Sequence, residues 1–250
     1  MSADSPLVAS RAVILAAGRG SRLGLFTRRL PKPLLPVGGR PMIERSLECL
    51  AAAGLERATV VVGHLGPEIE ARLGDSYEGI ELDYVRSDRY RTTNDIYSLW
   101  LAREHLSGDT LLLQPDVVYD RRVLDALAEA PADASLIAVA RHLPEFDGTV
   151  VSIGSGGRVT RMFYGVDQGD GFDYRDKFKT MNIYLFRDAF LRESFVPALD
   201  RFVAQEGRTD VCFETVLDEP VRSGRHPIHA VDCTELPWYE IDTHEDRRAA

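Results

Sequence analysis

The chain's first apolar run limits most strongly what it can become. Ala12 to Ala16 is short, rich in β-branched residues and ends abruptly at glycines, the pattern of a strand buried on both faces. Comparable runs recur at Ala58 to Val62, Ile80 to Val85, Asp109 to Gln114 and Ala134 to Ala140, and helical stretches separate most of them. The clearest helix lies between Pro41 and Gly54, with proline in its first turn, glycine as its stop, and Ile43, Leu47 and Leu50 on one face. Pro67 to Leu73, Arg121 to Ala130 and Arg187 to Gln205 read as further helices, the last apolar at Phe190, Leu191, Phe195, Leu199, Phe202 and Val203. Strands and helices alternating in this way predict an α/β fold, a parallel or mostly parallel sheet covered on both faces. At 250 residues and 44% hydrophobic, the chain has ample apolar material for a sizeable core.

The first strand runs into a loop built for anions. Gly18, Gly20 and Gly24 alternate with Arg19, Ser21 and Arg22. Missing Cβ atoms let a polyanion approach closely spaced backbone N–H groups, and the arginines supply charge. A nucleoside triphosphate is the expected ligand. The glycine spacing misses the dinucleotide fingerprint by one residue, and no GxxxxGK[ST] occurs. Next comes Pro31-Lys32-Pro33, where two prolines fix φ on either side of the lysine and keep it out of an α-helix. Lys32 is then either a point charge held at a set distance from the loop or a solvated lysine on a stiff strap.

Charge supports a small anionic ligand. The net charge is −9, yet residues 1 to 50 carry eight Arg or Lys against three Asp or Glu, which is +5 locally and leaves −14 elsewhere. A basic patch on an acidic chain suits a small anion better than a nucleic-acid backbone. Cys49, Cys212 and Cys233 lack CxxC spacing, so neither a disulfide framework nor a zinc site is expected. MSADSPLVAS lacks the features of a signal peptide, and no apolar run is long enough to span a membrane, so the expected location is cytoplasmic with no membrane partner. The six histidines form no HExxH, and no GxSxG is present.

Later stretches add candidate groups. Thr93 or Asn94 caps a helix carrying Ile96, Leu99 and Trp100 toward the core, and Asn94 and Ser98 stand either as caps or as ligand contacts. Asp116 follows a strand, where ligands gather in open α/β sheets, although aspartate there also serves as a turn former. Thr149 to Phe163 alternates about Gly154–Gly157 as a hairpin, and Tyr164 to Lys177 reads as a lid or a solvated connector. Lys179 and Asn182, three residues apart, fall on opposite faces of a regular strand. Either the strand begins after Lys179 or only one of them faces the site. In Trp238-Tyr239-Glu240-Ile241-Asp242 an extended backbone puts Trp238, Glu240 and Asp242 on one side and buries Tyr239 and Ile241. With Asp116, those carboxylates would make the oxygen-rich site that Mg2+ prefers. His244 begins a short final helix with no assigned role.

LAAGRGSRLG followed by PKPLLPVGGRPMIERSL resembles the amino-terminal signature of nucleotidyltransferases that join a nucleoside triphosphate to a phosphorylated small molecule, the sugar-1-phosphate nucleotidylyltransferases and bacterial-type choline-phosphate cytidylyltransferases. KTMNIY at Lys179 and WYEID at Trp238 look more like the cytidylyltransferase branch, which includes enzymes acting on phosphocholine and on phosphonates. The resemblance implies a three-layer α/β/α Rossmann-like, GT-A-like fold with a mixed, mostly parallel central sheet and a small hairpin and lid region. It implies one domain, its nucleotide-binding half at about 10–120 and its acceptor half at about 134–245. Nucleotide contacts are expected from Ala16, Ala17, Gly18, Arg19, Gly20, Ser21, Arg22, Lys32, Asn94 and Asp116, and acceptor contacts from Lys179, Asn182, Trp238 and Glu240. Arg22, Lys32 and Lys179 would be the catalytic cations, with Mg2+ on Asp116, Glu240 and Asp242. Gln114 departs from the family, which often has an acidic or small residue there. The activity implied is transfer of CMP from CTP to a phosphate or phosphonate oxygen, with release of pyrophosphate. A sugar-1-phosphate nucleotidylyltransferase using UTP, dTTP or GTP is one alternative, and a catalytically silent nucleotide-binding regulator another. For the acceptor, Phe163, Tyr164, Phe172, Tyr174, Tyr184 and Trp238 offer rings to a quaternary ammonium, while Arg141, Arg161 and Arg175 suit a carboxylate-bearing phosphonate.

Overall fold

A computed structural model describes residues 9–24, 26–131, 133–243 and 245–246. The readings of residues 1–8 and of His244 therefore lie outside the described residues. In chain order the principal elements are β1 (Arg11–Ala16), α1 (Met42–Ala52), β2 (Arg57–Val62), α2 (Gly66–Leu73), β3 (Ile80–Arg86) and α3 (Asp95–Leu101). They continue with β4 (Thr110–Leu113), β5 (Val117–Tyr119), α4 (Arg122–Glu129), β6 (Ser135–Arg141), β7 (Val150–Ile153), β8 (Val159–Phe163) and β9 (Lys177–Phe186). The last are a helix over 188–205 (α5), which contains two π-helical turns, then α6 (Phe213–Ser223), β10 (Ile228–Asp232) and β11 (Trp238–Glu240).

One mixed sheet carries the molecule, parallel through β4-β1-β2-β3 as the alternation predicts. Period-two alternation splits β1 between two cores. Ala12, Ile14 and Ala16 face α1, α2 and α4, while Val13 and Leu15 face α3, α5 and α6. The result is a three-layer α/β/α sandwich. No helix among the described residues is long and apolar enough to cross a membrane.

Antiparallel pairing enters through β9. This ten-residue strand lies along β6 on one side, and on the other pairs first with β7 and then with β4. At the fork the register against β6 slips between Thr180 and Tyr184, and Asn182 takes a left-handed backbone with φ of 56°. A bulge re-aims side chains that a regular strand would send to opposite faces. The predicted conflict between Lys179 and Asn182 is resolved there: both side chains reach Glu240.

Two further corrections concern exposure and the strap. Tyr239 is 46% exposed, whereas Ile241 is buried as expected, because β11 is a three-residue strand paired on one side with β5 and open on the other. Lys32–Leu34 forms a single 3-10 turn, since proline excludes a continued α-helix but tolerates one tight turn. Leu23, Leu35, Val37, Met42 and Ile241 pack together, so a small apolar cluster fastens the glycine loop and the strap to the carboxyl-terminal segment.

Ile14 is fully buried between Val60 and Leu113 in the parallel centre. Ile14→Ala should cost about 2–5 kcal/mol, read as a lower urea midpoint at an unchanged slope.

Candidate active site

The glycine loop leaves the carboxyl end of β1 and is held from both sides. Thr27 Oγ1 donates to the carbonyl of Gly20 at 3.1 Å, and the His64 backbone N–H donates to the carbonyl of Ala17 at 3.1 Å. Gly20 has φ of 60°, and a Cβ on it would stand 3.0 Å from Lys32 Cβ, whereas one on Gly18 would meet nothing within 4 Å. The glycine at 20 therefore makes room for the lysine, while that at 18 leaves the cleft open.

Lys32 is the centre of the arrangement. Its Nζ donates to Asp116 Oδ2 and to Asp242 Oδ1, both at 2.7 Å. Burial opposes its charge, but Asp116 and Asp242 outweigh that and hold the ammonium above the usual lysine range. Asp116 lies just past β4, and Asp242 arrives because β11 pairs antiparallel with β5, Glu240 opposite Val117, and the Ile241 N–H donates to the Asp116 carbonyl at 2.9 Å. Arg22 reaches in from the loop to Asp242 at 2.9 Å and to Asp147 at 3.2 Å.

A second cation stands deeper. Lys179 is 1% exposed, with Nζ 3.1 Å from Glu240 Oε2 and donating to the Thr180 carbonyl at 2.7 Å. Asn182 Nδ2 donates to the other oxygen of Glu240 at 2.9 Å. Burial raises the Glu240 carboxyl against the pull of Lys179, and the charges of Asp116 and Asp242 push it the same way.

Glu240 bonds Lys179 and Asn182 with its two oxygens, beside Asp116 and Asp242. Neither Trp238 nor Ala16 lines the cleft: Trp238 packs against Phe146 at 5.0 Å between centroids, with its ring 6.0 Å from Lys179 Nζ, and Ala16 is buried within the sheet. Asn94 accepts from the Asp95 N–H at 2.8 Å as a helix cap, and also lines the cleft.

The cleft, about 420 Å³, is lined by Ala17 through Arg22, Lys32, Asn94, Ser98, Asp116, Lys179, Asn182, Glu240 and Asp242. Sequence reading missed part of its wall. Asp147, Thr149, Asp95, Cys212 and Glu214 also line it, as does Tyr164, the one ring of the six offered to the acceptor that does. Asp147, Cys212 and Glu214 belong to no motif in the sequence, and their burial and partners are set by the fold, so no local signal marked them. Gln114 donates to Asp95 Oδ2 at 3.3 Å, which ties the family departure to this second acid group.

Asp116 and Asp242 suit a hard divalent cation such as Mg2+. Both carboxylates already converge on one cationic centre, and Asp116 Oδ1 is buried with no hydrogen-bond partner among the described residues. Asp95, Cys212 and Glu214 form a separate group whose ligand atoms lie within 4.8 Å of one another.

Burial and the charge of Glu214 push Asp95 up from 3.8 to about 7. A carboxyl whose native value is raised stabilises the fold while neutral, below its unfolded value, and that contribution is lost as pH climbs through the native value. Asp95→Asn keeps the shape and removes the charge. The variant should lose less stability than the parent between about pH 4 and about pH 8, measured by urea unfolding at both.

Comparison with known proteins places these features. Residues 12–219 match the MobA-like NTP transferase domain. The chain is 42% identical over 243 residues to a CMP-5'-(3-aminopropyl)phosphonate synthase of Streptomyces rubellomurinus, a match covering 96% of this chain and 38% of that protein. It is 38% identical over 110 residues to a 2-aminoethylphosphonate cytidylyltransferase of Lancefieldella rimae, covering 44% of each. The aligned stretches thus span less than half the length of these relatives. In fold, the chain superposes on the CTP:phosphocholine cytidylyltransferase of Streptococcus pneumoniae with a TM-score of 0.78 at 21% identity, covering 96% of this chain and 97% of the other.

Proposed function

The chain belongs to the family of MobA-like NTP transferase domains, and on that premise we propose that it transfers CMP from CTP to the phosphonate or phosphate oxygen of a small acceptor, releasing pyrophosphate. The observation that carries this reading is the convergence of Lys32, Asp116 and Asp242 at the mouth of the glycine loop. The similarity to two proteins named for work on phosphonates favours CTP and a phosphonate over a sugar phosphate. In this reading the nucleotide occupies the half of the domain at about 10–120 and the acceptor the half at about 134–245, within a cytoplasmic protein.

An acceptor phosphonate is already anionic near neutral pH, so its attack on the α-phosphorus needs no general base. Two anions must instead be brought together. One acceptor oxygen forms a bond to the α-phosphorus, the bond from that phosphorus to the α,β-bridging oxygen breaks, and pyrophosphate departs with the electron pair. Charge neutralisation and in-line positioning then do the catalysis. The glycine-loop amides with Arg22 take the β- and γ-phosphates. Arg22 is more than half exposed and exchanges Asp147 for phosphate oxygen at little cost. Lys32 takes the α-phosphate, and Lys179 the acceptor's phosphonate, held in place by Glu240 and Asn182. Asp116 and Asp242 would hold Mg2+, which when bound supplies further positive charge to the phosphates.

Each such contact contributes about 3 kcal/mol at the transition state, or roughly a hundredfold in rate. Lys32→Ala, Arg22→Ala and Asp116→Ala should therefore each lower kcat at least about a hundredfold with the fold intact by circular dichroism, and near-normal turnover would remove that residue from the mechanism. Chelation with EDTA should stop turnover and Mg2+ restore it. The reading itself is tested by pyrophosphate release when CTP, UTP, GTP and ATP are paired with phosphonates, phosphocholine and hexose phosphates. CTP with a phosphonate is the expected pair. Turnover confined to UTP and a hexose phosphate would assign the sugar chemistry instead, and no release with any pair would refute transfer altogether.

A further inference from the structure

The segment from Tyr164 to Lys177, which sequence alone leaves as a lid or a solvated connector, is anchored through one side chain. A tight turn opens it. The Asp167 N–H donates to the Tyr164 carbonyl at 2.7 Å, the Tyr164 N–H donates to Asp167 Oδ2 at 3.2 Å, and the Gln168 N–H donates to the Gly165 carbonyl at 3.0 Å. This folds Gln168 back toward the end of β8. Its Nε2 donates to the Phe163 carbonyl at 2.7 Å and to the Gly148 carbonyl at 2.8 Å, while its Oε1 accepts from Tyr174 Oη at 3.1 Å. Both amide hydrogens and the amide oxygen are thereby engaged. The Tyr174 ring is held in turn, stacked on His142 at 4.3 Å and edge-on to Phe172 at 4.8 Å between centroids.

The backbone that Gln168 fixes belongs to the cleft. Gly148, Thr149 and Tyr164 line it, although Gln168 does not. Gly148 lies against the second cation: a Cβ on it would stand 3.4 Å from both Cε and Nζ of Lys179, and its φ of 91° suits glycine. From the other side Thr149 is tied to β9, its carbonyl accepting from the Thr180 N–H at 3.1 Å, and the next residue, Val150, pairs with Lys179. The wall beside the Lys179 ammonium is therefore clamped between β9 and one glutamine.

The phosphate end is held by other groups. Lys32 is fixed by Asp116 and Asp242, and the glycine loop by Thr27 and His64, none of which bonds Gln168 or Tyr174. The one link runs from Asp147 to Arg22, and Arg22 gives up that exposed partner when it takes phosphate. Resting on the transfer reading, we propose that Gln168 is a positioning residue for the acceptor: by fixing the Gly148 carbonyl it sets the wall on which Lys179 meets the acceptor's anionic oxygen, and it leaves nucleotide binding alone. Such leverage is expected of a group outside the chemistry, since a displacement of about 1 Å at a reacting centre costs up to roughly a hundredfold in rate.

Gln168→Glu keeps the shape of the side chain and the oxygen that accepts from Tyr174 but removes both N–H donors. The 250-residue chain is assayed with CTP and whichever acceptor of the pyrophosphate assay above is turned over fastest. In this variant the acceptor KM should rise at least about tenfold while the KM for CTP stays within about twofold. Tyr174→Phe removes only the third bond and should move the acceptor KM the same way by a smaller factor, about threefold, so the assignment does not depend on one variant folding. A fall in kcat with both KM values unchanged would mark a loss of folded enzyme, and equal rises in both KM values a general loosening of the cleft. Either result overturns the assignment, as does an acceptor KM unmoved in both variants. Absence of pyrophosphate from the unmodified chain with every pair would overturn the transfer reading, and the assignment with it.

Discussion

A single ammonium group, that of Lys32, joins three distant parts of the chain. It bonds Asp116 and Asp242, 84 and 210 residues away, and its own stem fills the space that Gly20 leaves open. Taking these charges out of water is costly, and the attraction offsets that cost only while every partner stays in place. Such a set is poor evidence of stabilisation and better evidence of a purpose. Buried charges aligned in advance need no reorganisation when a polyanion arrives, which is the condition under which electrostatic stabilisation is strongest.

The fork in β9 gives the site its second cation. A regular strand could present Lys179 or Asn182 to the cleft, but not both. The left-handed residue at Asn182 lets the strand change partners from β7 to β4 and brings both side chains to the two oxygens of Glu240. Asparagine tolerates this backbone better than most residues, and its amide is used in the same stroke. Backbone irregularity and side-chain function coincide at one position, as is common where a strand borders a ligand site.

The cleft is also polar from end to end. Arg22, Lys32 and Lys179 stand among Asp116, Asp147, Glu240 and Asp242, while Asp95 and Glu214 line the cleft with no ion pair among the described residues. That division arises from the layers: the cations come from the loop after β1 and from β9, and the acids from α3 and α6 on one face of the sheet.

Much of this was legible in the residues. The apolar periodicities placed the strands and helices, and glycine and proline chemistry placed the anion loop and the stiff strap, because these depend on φ/ψ preferences and burial patterns within a few residues. Period-two alternation put Glu240 and Asp242 on one side of their strand, yet it failed at Asn182, where a bulge breaks the period, and at Tyr239, where the strand has only one neighbour. Only the tertiary structure decided partnership. That Glu240 serves Lys179, that Trp238 and Ala16 stand off the cleft, and that Asp95 meets Cys212 and Glu214 more than a hundred residues later are all consequences of sheet order and register. A side chain's neighbours across the sheet are set by the whole chain's packing, and local sequence carries no measure of that.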